Sequence, residues 1–156
     1  MILFNNLFKR KRGKQDEKTL ENYLFDAIDH FENGNFWEAA NQFSLIAQTY
    51  PEHPLANLML GRAFIHQKKY SDAIDALFKH LKSAPNSLEA IINLGLAYYE
   101  CGELGLALER FDQALKLNAN SILVRENLAI TKLASGELNS ALDLLVALHD
   151  FHCTPH

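Results

Sequence analysis

The sequence predicts an all-α fold in which four helix–turn–helix units of 34 residues stack into an α-solenoid of antiparallel helix pairs. The first observation is an ungapped register. Ala39, Ala73, Ala107 and Ala141 recur at a step of 34 residues, and Phe43, Leu77, Phe111 and Leu145 follow four residues after each. The second is spacing: apolar residues recur every three or four positions between turns, which marks amphipathic helices rather than strands. The third is punctuation. Gly34, Gly102 and Gly136 fall in register where each unit turns, with Lys68 in the remaining copy.

Each element follows from that register. First helices are expected at 20–33, 54–67, 88–101 and 122–135, and second helices at 37–49, 71–83, 105–117 and 139–151. The units are 20–53, 54–87, 88–121 and 122–153, preceded by a tail at 1–19 and followed by 154–156. The turn glycines fit helix C-terminal positions that need a left-handed backbone. Lys68 should leave its turn strained or closed differently. Phe36, Tyr70, Leu104 and Leu138 sit two residues beyond the turns and open the second helices. The repeated alanine belongs where two helices of a pair cross closely, so enlarging it should cost ~1–3 kcal/mol. Gly61 and Gly95 lie inside helices, where glycine costs about 1 kcal/mol against alanine. Close approach of a neighbouring helix would compensate.

Composition narrows the class. Hydrophobic residues make up 48% and charged residues 22% of the 156, too apolar for disorder and long enough for one domain. Nothing approaches the roughly 20 continuous apolar residues of a membrane-spanning helix. Two cysteines, Cys101 and Cys153, exclude a disulfide framework and point to a reducing cytoplasmic setting. Residues 1–19 carry a local charge of +4 and the remainder −8, and such an acidic body argues against nucleic acid. There is no Gly-rich phosphate loop, G-x-S-x-G or H-E-x-x-H, so the expectation is a protein that is not an enzyme and needs no cofactor. His149, His152, Cys153 and His156 cluster beside Pro155 at the chain end without a carboxylate second shell, and no metal site is assigned. His30, His53, His66 and His80 read as surface or partly buried, Cys101 as a packed thiol, and Glu100 with Glu103 as solvated acids.

The third unit, with Leu94-Gly95, Tyr98, Ala107 and Phe111, resembles the tetratricopeptide repeat pattern W-x2-L-G-x2-Y…A-x3-F…P. The second reads Leu60-Gly61, Phe64, Ala73, Leu77 and Pro85. The first keeps Tyr23, Ala27, Ala39, Phe43 and Pro51, but carries Asp26 and His30 where Leu and Tyr are usual. The fourth keeps Leu128, Ala129, Ala141 and Leu145, with Arg125 and Lys132 at the aromatic positions. The resemblance implies a right-handed superhelix whose first helices line a concave groove. Carried over, that groove takes Leu24, Ile28, Phe31, Leu58, Arg62, Ile65, Ile92, Leu96, Tyr99, Glu126, Ile130 and Leu133, with Asn93 and Asn127 as further polar contacts. Family members that grip a C-terminal carboxylate use a Lys/Asn/Arg clamp, and the matching positions here lack it.

The function this implies is a non-catalytic scaffold or adaptor that binds an apolar or amphipathic peptide or helix of a protein partner. The two ends suggest alternatives. MILFNNLFKRKR places Leu3 with Leu7 and Phe4 with Phe8 on one helical face, ahead of Lys9, Arg10, Lys11 and Arg12. With Ile2, these residues suit an anionic membrane surface and hence a peripheral tether, or they suit docking into an apolar groove. The basic cluster is also permissive for nuclear import. At the other end Leu142, Leu145 and Leu148 lie on a largely apolar last helix and are candidates for self-association as a homodimer. Chaperones of bacterial type III secretion are similar in length and in having a short helical array. They usually carry three repeats and an acidic first helix, and this chain has four and a basic tail.

Overall fold

A computed structural model describes residues 14–153. It contains eight helices and no strand among those residues: α1 (Lys14–Glu32), α2 (Phe36–Thr49), α3 (Ala56–His66), α4 (Tyr70–Ser83), α5 (Leu88–Glu100), α6 (Leu104–Leu117), α7 (Ile122–Ala134) and α8 (Leu138–Cys153). Each packs chiefly on its chain neighbours, giving an α-solenoid of antiparallel pairs. First helices also meet across pairs, α3 with α5 and α5 with α7, whereas second helices meet one another marginally at most. First helices therefore lie on the inside of the curve. The helix bounds follow the periodicity closely except at α1, which begins at Lys14 inside the stretch assigned to the tail. Lys14 to Lys18 are mostly good helix formers without an apolar stripe, so hydrophobic spacing does not reveal them.

All four turns close alike. Gly34, Gly102 and Gly136 have φ of 78°, 82° and 85°, and Lys68 adopts the same left-handed backbone at 59°. At the glycine turn after α5, the Gly102 and Glu103 amides donate to Tyr99 and Tyr98 carbonyls at 3.0 and 2.9 Å. At the lysine turn, the Lys68 and Lys69 amides donate to Ile65 and Phe64 carbonyls, both at 2.9 Å. Lys68 is thus held in the glycine conformation at a steric cost of roughly 1–2 kcal/mol, and the turn is not rebuilt around it.

Within each pair, the repeated alanines Ala39, Ala73, Ala107 and Ala141 are fully buried. A Cβ added at Gly61 would lie 2.7 Å from Leu77 Cγ, and one at Gly95 would lie 2.6 Å from Phe111 Cε1. The compensation for a mid-helix glycine therefore comes from the pair's own second helix, whose anchor side chain presses on the glycine backbone. Between pairs the core continues: Leu58 and Leu77 cluster with Ala90 and Leu94, and Ile92 and Phe111 with Val124 and Leu128. The anchors Phe43, Leu77 and Phe111 are 0% exposed, but Leu145 at the same position is 40% exposed. No described helix covers it.

Two further expectations change. His80 is buried rather than superficial, because its register position is the one that Ile46 and Ala114 fill in the core of neighbouring pairs. Its Nε2 has no hydrogen-bond partner among the described residues. Cys101 is exposed, not packed, because it lies just past the end of α5. Partial burial, then the carboxylates Glu103 and Glu100, push its thiol pKa upward, so it is a poor nucleophile.

Candidate protein-interaction surface

The inner surface is built by α1, α3, α5 and α7. Leu24, Ile28 and Phe31 on α1 are half-buried and pack on the core shared with α2 and α3. Ile65, Leu96 and Tyr99 are likewise half-buried against their own clusters. Ile130 and Leu133 on α7 are exposed. Leu58 and Ile92 must be withdrawn from the groove. They are 5% and 9% exposed, because their register position points at the next pair's first helix and is sealed by it. Glu126 occupies that same position on α7, beyond which no further first helix is described, and it is exposed.

Three large apolar residues were missed: Phe25, which is 72% exposed, and the exposed Leu55 and Leu123. The signal was available. Phe25 is in register with Asn93 and Asn127, and Leu55 with Glu89 and Leu123, so a strict 34-residue step would have included them. Together they leave apolar area on the inside face of α1, α3 and α7. Residues 2–12 and the side chain of Leu148, assigned to membrane contact and self-association, lie outside the described residues.

Polar groups tie this surface across pairs. Arg62 Nη1 donates to Glu89 Oε1 at 3.0 Å, joining α3 to α5, and its guanidinium lies 4.9 Å from the centre of the Phe31 ring. His66 stacks on Phe36 at 4.1 Å with the rings nearly parallel, and Phe31 meets both edge-on. Burial, then the Arg62 charge, lowers the His66 pKa, so the imidazole stacks in its neutral form. Asn93 donates from its side chain to the Glu89 carbonyl at 2.9 Å. The Asn127 amide nitrogen is buried without a hydrogen-bond partner among the described residues. The surface is mainly greasy, with one ion pair crossing it. Nothing in this arrangement resembles a nucleophile–base pair, and the described helices include none long and apolar enough to cross a membrane.

The fold and this surface define a helical-repeat scaffold of the kind that presents a curved face to other proteins. The sequence pattern of the tetratricopeptide repeat family matches residues 27–87. Superkiller protein 3 of Saccharomyces cerevisiae is 30% identical over 87 residues, covering 56% of this chain and 6% of that protein. The TPR repeat-containing protein MJ1428 of Methanocaldococcus jannaschii is 26% identical over 109 residues, 70% of this chain and 19% of that one. The chain thus spans only a small part of these curated relatives. MamA from residue 41 onward, from Desulfovibrio magneticus RS-1, superposes with a TM-score of 0.81 at 21% identity, over 85% of this chain and 75% of that one. The first repeat domain of Spaghetti (RPAP3), bound to an HSP90 peptide, gives 0.72 at 17% identity, over 76% and 94%. At such identities these likenesses show the fold alone. Residues 27–87 thus carry the tetratricopeptide repeat pattern, and the eight described helices share the fold of such repeats.

Proposed function

We infer that this chain is a non-catalytic adaptor whose first-helix face takes an apolar or amphipathic segment of a partner protein. The observation that carries the reading is the set of exposed apolar side chains on or beside the first helices: Phe25, Leu55, Leu123, Ile130 and Leu133. Monomeric surfaces seldom leave contiguous apolar area of several hundred Å² without a use. A ligand there gains by burying its own apolar side chains, while the Arg62–Glu89 pair at the centre sets register and direction. A bound peptide on this fold has a precedent in the Spaghetti domain with its HSP90 peptide.

Leu96 and Ile65 pack on the core, so a charge there would damage the fold. Phe25→Glu combined with Leu55→Glu is the cleaner probe, since both side chains are exposed. Tagged wild-type and double-variant chains, each used for affinity capture from native lysate, should differ by loss of the specific partners, with helicity by circular dichroism unchanged. Equal capture by both would defeat this reading.

A further inference from the structure

At each internal junction a first helix docks on the preceding pair through three positions spaced four apart. These are Ala56, Leu60 and Phe64 on α3, Ala90, Leu94 and Tyr98 on α5, and Val124, Leu128 and Lys132 on α7. The receiving face is also fixed by register. On the third pair it comprises Ile92, Leu96, Tyr99, Leu108 and Phe111, all in one cluster with Val124 and Leu128. The same five positions on the fourth pair are Glu126, Ile130, Leu133, Leu142 and Leu145, and every one is exposed. The α7–α8 face is therefore a helix-receiving site without a described occupant.

Two features of the face specify what fits it. The first is the apolar spacing just given. The second is charge: Glu126 is exposed and lacks an ion-pair partner among the described residues. The occupant should be an amphipathic helix with apolar residues four apart and basic residues at hand. A second copy's α1 does not qualify, because its docking positions are Asn22, Asp26 and His30, and burying them on leucines would strand polar groups. The segment just before α1 does qualify. Leu3, Leu7 and Lys11 repeat the spacing and residue classes of Val124, Leu128 and Lys132, with Phe4, Phe8 and Arg12 alongside.

We propose that residues 1–12 of a second copy dock as a helix on the α7–α8 face, taking the place that a further first helix would occupy. A twelve-residue segment docked as a helix would span about 18 Å, against roughly 30 Å for the three junctions from α1 to α7 at ~10 Å per helix layer, which favours a second copy's segment over the same chain's own. Each copy offers one arm and one face, so two copies that exchange arms close into a dimer. Ile130 and Leu133 belong to both this face and the ligand surface proposed above, whereas Phe25 and Leu55 belong to that surface alone, so Phe25→Glu with Leu55→Glu should leave self-association untouched.

The test uses full-length chains and light scattering after size exclusion across a concentration series. Wild type should associate as concentration rises. An arm variant, Leu3→Glu with Leu7→Glu, and a face variant, Leu142→Glu with Leu145→Glu, should each run as a monomer. Mixed together they should form a one-to-one complex, because one retains its face and the other its arm. Three results would overturn the proposal: a monomeric wild type, an arm variant that associates like wild type through face-to-face contact, or a mixture that stays monomeric. Arm-dependent sedimentation with phosphatidylserine vesicles in place of self-association would assign residues 1–12 to a membrane instead. Should the face variant lose helicity, Glu126→Lys tests the same contact at an exposed position, with association at least tenfold weaker expected.

Discussion

The third and fourth helix pairs carry nearly the same pattern and meet different fates. In the third, Phe111 presses on Gly95, Ala107 seats the crossing, and α7 seals the outer side, so the anchor is fully buried. In the fourth, Ala129 and Ala141 are as buried as their counterparts, yet Leu145 remains 40% exposed. The crossing inside a pair is thus complete on its own, while the anchor's burial belongs to the junction with the following pair. The two edges of the array show the same separation. At the α1 edge the docking positions are already polar, with Asn22, Asp26 and His30, whereas the α7–α8 edge keeps apolar residues at its receiving positions except for Glu126. One edge is finished by its own side chains, and the other is made to be covered.

The largest effect that would break this comparison lies at the equivalent anchors. Phe111→Ala should lower stability by ~3–5 kcal/mol, because it leaves a cavity in a sealed junction. Leu145→Ala should cost less than about 1 kcal/mol, in line with a partly exposed site. Urea unfolding followed by circular dichroism measures both, and equal losses would refute the junction account. A smaller effect would sharpen it. Lys68→Gly removes a left-handed lysine from the second turn and should raise stability by ~0.5–1 kcal/mol. Because coupling in such arrays runs between neighbours, the gain should concentrate in the second pair and its junctions and leave α8 unchanged.

Much of this was legible in the sequence for a physical reason: helix packing repeats with the chain, so a strict step of 34 residues reports geometry directly. Gly61 and Gly95 announced a close approach, and the turn glycines announced left-handed backbones, while Lys68 left open whether its turn is strained or closed differently, and it is the strained form. The failures arose where one register position has two environments. Leu58 and Ile92 looked like groove residues because their helices line it, yet the following first helix buries them. Glu126 at the same position held the clue, since a carboxylate is tolerated there only where that helix is missing. His80 was misjudged because histidine rarely occupies a sealed core position, and only its alignment with Ile46 and Ala114 places it there. Cys101 was misjudged by a single residue, as the helix stops at Glu100. The site residues on α1 to α7 are otherwise ones the periodicity can nominate, but which side of a half-buried residue faces solvent depends on curvature that sequence spacing does not carry.

The central claim is that every helix pair depends on its successor for its outer face, and that no successor to the α7–α8 pair is among the described residues. Amide hydrogen exchange on the full-length chain carrying Leu3→Glu and Leu7→Glu, which leaves that face open, tests it most directly. The account predicts strongest protection in α4 to α6, weaker protection in α7 and the fastest exchange among the second helices in α8. Protection in α8 equal to that in α6 would contradict it.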